Sequence, residues 1–236
     1  MRRETQNVLL LLFGGALLKI AFGGSYLRYV KAELFPWLVG AGAVMVVLAA
    51  VAIVRDVRAG GAATGPGHEH GSRSPWMLLL PVLAIFLVAP PALGSDSVLR
   101  AGERSSPPEE TSLFPPLPPG APVLSLSEFV TRAVWDDSRA LAGRDVRLRG
   151  FVVHPEDGPV QLARMRIRCC AADAAPVAVE LAGPAAARAA ELPSDTWIEV
   201  TGRLRPGSAT EGSGYVPTVR VGAVRPIPVP AEPYER

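Results

Sequence analysis

The residues of this chain with the most chemistry in them are two adjacent cysteines, Cys169 and Cys170, with Asp173 three positions after the second. Two thiolates and a carboxylate are natural ligands for a thiophilic divalent ion such as zinc. The group stands at the end of an alternating run, where neighbouring side chains point to opposite faces of a strand. A regular strand therefore holds the two sulfurs apart. A bulge at its end brings both, with Asp173 or His154, within reach of one ion. A strained vicinal disulfide of redox character is a second reading. Two structural thiols, one buried and one partly exposed, are the third. Alternation puts Ala163, Met165, Ile167 and Cys169 on the core side and Arg164, Arg166, Arg168 and Cys170 on the other, so Cys170 is the expected exposed thiol. Three arginines at spacing two repel one another, and an acidic partner or anionic ligand beside them is expected.

The elements that position these residues follow from turn and periodicity signals. Ser125, with Glu128 three residues on, opens a helix whose apolar face is Phe129, Val130, Ala133 and Val134, running to about Ala140. Strands are expected at 145–153, 160–170 and 176–181, an alanine-rich helix at 184–192, and two further strands at 197–204 and 216–224. Three strands, a helix and two strands is the order of a five-stranded OB-like barrel, here preceded by an extra helix. The soluble domain is expected to cover 123–230, with 231–236 as a tail.

From Val123 to Arg236 the chain carries 14 basic and 14 acidic residues. A neutral domain argues against nucleic acid as a partner. The two cysteines cannot build a disulfide framework. There is no Ser-His-Asp arrangement, phosphate-binding loop or paired-carboxylate site, and His154 is the one histidine after residue 70, so the chain is not read as an enzyme.

The first 95 residues read as a membrane domain of three transmembrane helices. No charge occurs between Glu33 and Arg55 or between Ser74 and Ser95, and a weaker stretch from Asn7 to Leu27 is interrupted by Lys19. Each approaches the roughly 20 apolar residues that cross a bilayer. Lys19 near the middle of its stretch, with no acidic residue in the three spans, either snorkels to the interface or meets a partner in another chain. Arg2, Arg3, Arg55, Arg58 and Arg73 fall on one side, and Arg28, Lys31, Arg100 and Arg104 on the other. That bias puts the C-terminal domain outside the cell membrane. Residues 96–122 form a linker, and the seven prolines between Ser105 and Pro122 predict an extended stalk on the order of 50 Å long. His68-Glu69-His70, in the glycine-rich loop before it, is a further short tract with metal-ligand residue types.

Arg164, Ile167, Cys169, Cys170, Ala172 and Asp173, with Val146 to Val152 before them and Trp197 to Gly202 after, resemble the YcgQ-like bacterial permease-subunit family. The segment from Gly24 to Leu38 is similar to that family's first loop and second span. The resemblance implies a multi-pass membrane protein that accompanies a larger multi-spanning permease, with a link to metal-ion handling and no known substrate. Lys19, Arg164, Arg166 and Arg168 are the expected partner contacts, beside membrane lipid. The alternative is a membrane-anchored metal- or redox-sensing module that uses Cys169 and Cys170.

Overall fold

The computed structural model describes residues 3–58, 80, 83, 87, 91–101, 111 and 114–235. It divides into two compact units, Met1–Pro91 and Ala92–Arg236.

In the first unit, helix α1 (Arg3–Phe22) is followed by short 3-10 turns and helix α2 (Phe35–Arg58). The two helices pack as an antiparallel hairpin. A Cβ on Gly14 would stand 2.8 Å from Val46 Cγ2 and 2.9 Å from the Gly42 carbonyl, so only glycine admits this approach. Near the open end, Asn7 Nδ2 donates to Asp56 Oδ2 at 3.2 Å.

Of the three expected spans, the described residues show one plainly. Among the described residues one helix, the 27-residue stretch Ala32–Arg58, is long and apolar enough to cross a membrane, and Gln6–Phe22 is a shorter apolar helix. The chain leaves α1 at Gly23-Gly24, where Gly24 takes a left-handed backbone (φ 73°). Lys19 therefore sits in the last turn of α1, not at mid-span. It also has an interaction within the structure, so the premise of a missing partner falls away. Most of the third expected span and the His68 tract lie outside the described residues, with Leu80, Leu83 and Leu87 helical.

The second unit opens with helix α3 (Ser95–Ala101), strand β1 (Val123–Leu124) and helix α4 (Leu126–Trp135). Strands β2 (Val146–Val153), β3 (Gln161–Arg166) and β4 (Ala175–Ala182), helix α5 (Ala186–Ala190), and strands β5 (Trp197–Leu204) and β6 (Thr218–Pro226) follow. Ser125 caps α4 as its sequence predicts, its hydroxyl accepting from the Glu128 N–H at 3.0 Å. In place of a plain five-stranded barrel there is a mixed six-stranded sheet, ordered β1-β2-β3-β4-β6-β5, in which β2 also pairs with β5. The sixth strand, β1, runs parallel to β2, and β4 runs parallel to β6.

From Gly150 onward both faces of β2 are buried. Val146, Leu148 and Val152 join Leu126, Phe129, Leu162, Val179, Ile198 and Val219 in the main core. Phe151 and Val153 pack on the other side with Met165, Ile167, Trp197, Tyr234 and Val98 of α3. At Gly150 a Cβ would meet the Ala163 carbonyl at 2.5 Å, so β2 and β3 cross closer than any side chain allows there.

Described parts of the expected 96–122 linker are structured. Ser95 to Ala101 is helical, and the Asp195 carboxylate holds the Ser95 N–H (2.6 Å) and hydroxyl (2.9 Å). The described proline-rich residues lie on the domain. Arg132, its side chain buried, donates to the Pro115 carbonyl (2.8 Å) and lies over the Phe114 ring. Arg144 donates to the carbonyls of Pro118 and Gly120, and Arg147 to that of Ala121. Polyproline carbonyls have no internal partners, so arginines convert a stalk into a strap.

Candidate metal centre

Strand β3 ends at Arg166, four residues before its sequence predicts. The cause is the Asp173 carboxylate. It accepts the N–H of Arg168 at 2.7 Å, of Cys169 at 2.8 Å and, more weakly, of Cys170 at 3.4 Å. Satisfying three successive donors folds the chain around one side chain and removes them from any ladder. A 3-10 turn (Ala171–Asp173) follows, with the Cys170 side chain receiving the Asp173 N–H in return, and β4 then begins at Ala175.

The turn replaces strand alternation with a common side. One ligand atom from each of Cys169, Cys170 and Asp173 lies within 4.8 Å of the others. Both cysteines are free thiols. The expected exposures are reversed: Cys169 is exposed and Cys170 half-buried, whereas Ile167 is the last residue of the run to enter the core. Hydrogen bonding to the Asp173 carboxylate, and then to Cys170, pushes the Cys169 thiol up to about 11. The same thiol, with the backbone N–H groups behind it, lowers Asp173 to about 2. At neutral pH the carboxylate is thus a fixed anion and Cys169 carries its proton toward it.

His154 is not part of this cluster. Its Nε2 lies 2.8 Å from the Leu192 carbonyl, which can only accept, so that nitrogen carries the proton. Along the arginine stripe, Arg166 is half-buried and Arg168 exposed. Arg164 is mostly buried over the Trp197 ring and donates to the carbonyls of Glu232 (2.9 Å), Pro233 (3.3 Å) and Tyr234 (3.4 Å). Burial lowers its pKa, and Glu235 at 3.8 Å opposes that shift. Arg166 pairs through its backbone with Glu235, and the Arg168 N–H belongs to Asp173. On neighbouring strands, Arg149 shares the buried Glu199 with Arg225 (2.6 and 3.0 Å), and Arg203 grips Asp145 through two bonds of 2.9 Å.

The C-terminal residues are structural in a way the sequence reading misses. The backbone of Glu235 donates to Met165 O (2.9 Å) and accepts from Ile167 N (3.1 Å), adding one rung to β3 where β2 has left it. The buried Glu235 carboxylate caps α4 through Leu126 N (2.6 Å), Ser127 N (2.8 Å) and Ser127 Oγ (2.6 Å). Tyr234 Oη accepts from Leu93 N at 2.9 Å. The one signal in the sequence is the Tyr-Glu pair itself, an aromatic and an acid in an otherwise proline-rich end.

Residues 130–235 match the family model of the DUF1980 C-terminal domain, which supports a place in the DUF1980 family for this part of the chain. The match takes in Cys169, Cys170, Asp173 and the capping Glu235. No curated protein and no solved structure matches the chain.

Proposed function

We propose that this chain is a membrane-anchored accessory subunit whose soluble unit holds a thiophilic divalent cation, zinc being the best fit, at Cys169, Cys170 and Asp173. The observation that carries the reading is the approach of the three ligand atoms to within 4.8 Å of one another. Two sulfurs and a carboxylate oxygen match zinc in softness and geometry, and less well a hard ion that prefers an all-oxygen shell. The turn is held by backbone hydrogen bonds to Asp173, so the donors are gathered before any ion arrives. Binding displaces thiol protons, and affinity therefore rises with pH.

The fold reading extends the same way. Pairings β2–β3, β3–β4, β4–β6, β6–β5 and β5–β2 form a ring, with β4 and β6 parallel, and this supports a closed OB-type barrel with β1 added outside. The role as subunit of a larger permease draws on the resemblance to the YcgQ-like family and on the exposed apolar face of α2, where Val44, Val47, Leu48 and Val51 follow helical spacing. A multi-pass arrangement with the soluble unit outside the cell membrane completes it.

Native mass spectrometry of the reduced full chain in detergent tests the cation site. One zinc per chain is expected, with Cys170→Ser and Cys169→Ser each losing most of it. Equal zinc uptake by the wild-type chain and the double serine variant contradicts the reading. Permease association is checked by mass spectrometry of particles extracted in native lipid, where a polytopic permease at fixed stoichiometry is expected and the lone chain speaks against it.

A further inference from the structure

We infer that the Cys169–Cys170–Asp173 centre keeps an open coordination position that a neutral imidazole donor can take in exchange for water. The inference rests on the cation-site reading above and adds how the ion exchanges a ligand. Structural zinc sites are closed by four protein ligands, and sites that exchange a ligand present three. Among the described residues the cluster has three members, and Cys169 is exposed, so the ion has solvent on one side. His154, the nearest candidate by sequence for a fourth ligand, is committed to the Leu192 carbonyl.

Asp173 strengthens the case for an unfilled position. Its Oδ1 already accepts from Arg168 and its Oδ2 from Cys169 and Cys170. A carboxylate so engaged lends a cation one weak oxygen, and not two. The two sulfurs hold the ion and the remaining position goes to water. The fold does not need the ion, since the neighbouring core from Phe151 to Tyr234 is closed by side chains and the turn by hydrogen bonds. Charge selects the incoming donor. Two thiolates and a carboxylate around a dication leave a net charge of −1, which repels a further anion and admits a neutral imidazole. In the exchange the metal–water bond breaks as the metal–nitrogen bond forms. Nothing is oxidised or reduced.

Cobalt(II) in place of zinc makes the position visible. The full chain, reduced and in detergent, carries His68→Ala and His70→Ala, which leaves His154, engaged with the Leu192 carbonyl, as its one imidazole. Thiolate-to-cobalt absorption on titration reports the site itself. Adding imidazole should then shift the visible ligand-field bands to saturation while the thiolate absorption persists. Zinc release to a chromophoric chelator should accelerate in proportion to chelator concentration, because the chelator enters through the open position. Bands indifferent to imidazole, with release independent of chelator, mean a closed site and overturn the inference alone. Absence of thiolate absorption at any cobalt concentration removes the cation-site reading and this inference with it.

Discussion

Asp173 shows how one side chain sets both the shape and the reactivity of a site. Its carboxylate gathers the Arg168 and Cys169 N–H groups and takes the Cys169 thiol proton as a hydrogen bond. Cys169 is therefore exposed yet slow, because the thiolate is the nucleophile and this thiol titrates at about 11. In the metal-free protein its alkylation, followed by peptide mass spectrometry, should stay slow at neutral pH and rise steeply only as pH approaches 11. Asp173→Asn removes the anion and should speed alkylation at neutral pH; an unchanged rate contradicts the assignment. The linkage has a definite sign. The raised Cys169 pKa adds stability below the ordinary thiol range that is lost as pH rises through about 11, and the lowered Asp173 pKa adds stability at neutral pH that is lost as pH falls toward about 2. Replacing Cys169 by serine should leave the urea midpoint of the metal-free state close to that of the unaltered chain, since the side chain is exposed. A urea-midpoint loss equivalent to a buried residue would place it in the core after all. Strand alternation assigns Cys169 to the core and Cys170 to solvent. Alternation holds only while the ladder holds, and three N–H groups turning to Asp173 end it at Arg166.

At the scale of elements, the sheet and the cap on α4 are legible because their signals are local. Ser125 and Glu128 are three residues apart, and each of β2 to β6 lies on an alternating or apolar run. What stays hidden is held by long-range contacts. Glu235 reaches α4 across 109 residues of sequence, Asp195 reaches Ser95 across 100, and the arginines reach the proline strap across 17 to 27. Such pairings leave no periodicity to read. Glu235→Ala strands the Leu126 and Ser127 donors and leaves Arg164 short of its carboxylate. It should destabilise the soluble unit by about 2–4 kcal/mol, measured by urea denaturation. A loss below about 0.5 kcal/mol, the range of ordinary surface changes, contradicts a structural role for the C-terminal residues. The strap makes a parallel demand. A fragment of residues 92–236 should unfold cooperatively, and one of 123–230 should melt earlier and more broadly, having lost the Asp195, Arg132, Arg144, Arg147 and Glu235 partners. Identical melting of the two fragments restores the picture of a free stalk.

At the scale of the whole molecule, two compact units share one chain. The first is a helix hairpin closed at Gly14 and Gly42, with one helix long enough to span a bilayer. The second is a six-stranded sheet with α4 packed into its main core, braced at both ends of its sequence. A domain without net positive charge and with gathered thiols suits capture of a cation better than binding of a polyanion. The central claim is that Cys169, Cys170 and Asp173 hold one thiophilic ion together. X-ray absorption at the zinc edge of the loaded full chain tests it most directly. Two sulfur neighbours at about 2.3 Å with oxygen neighbours at about 2.0 Å are the predicted shell, and a shell of nitrogen and oxygen without sulfur would contradict it.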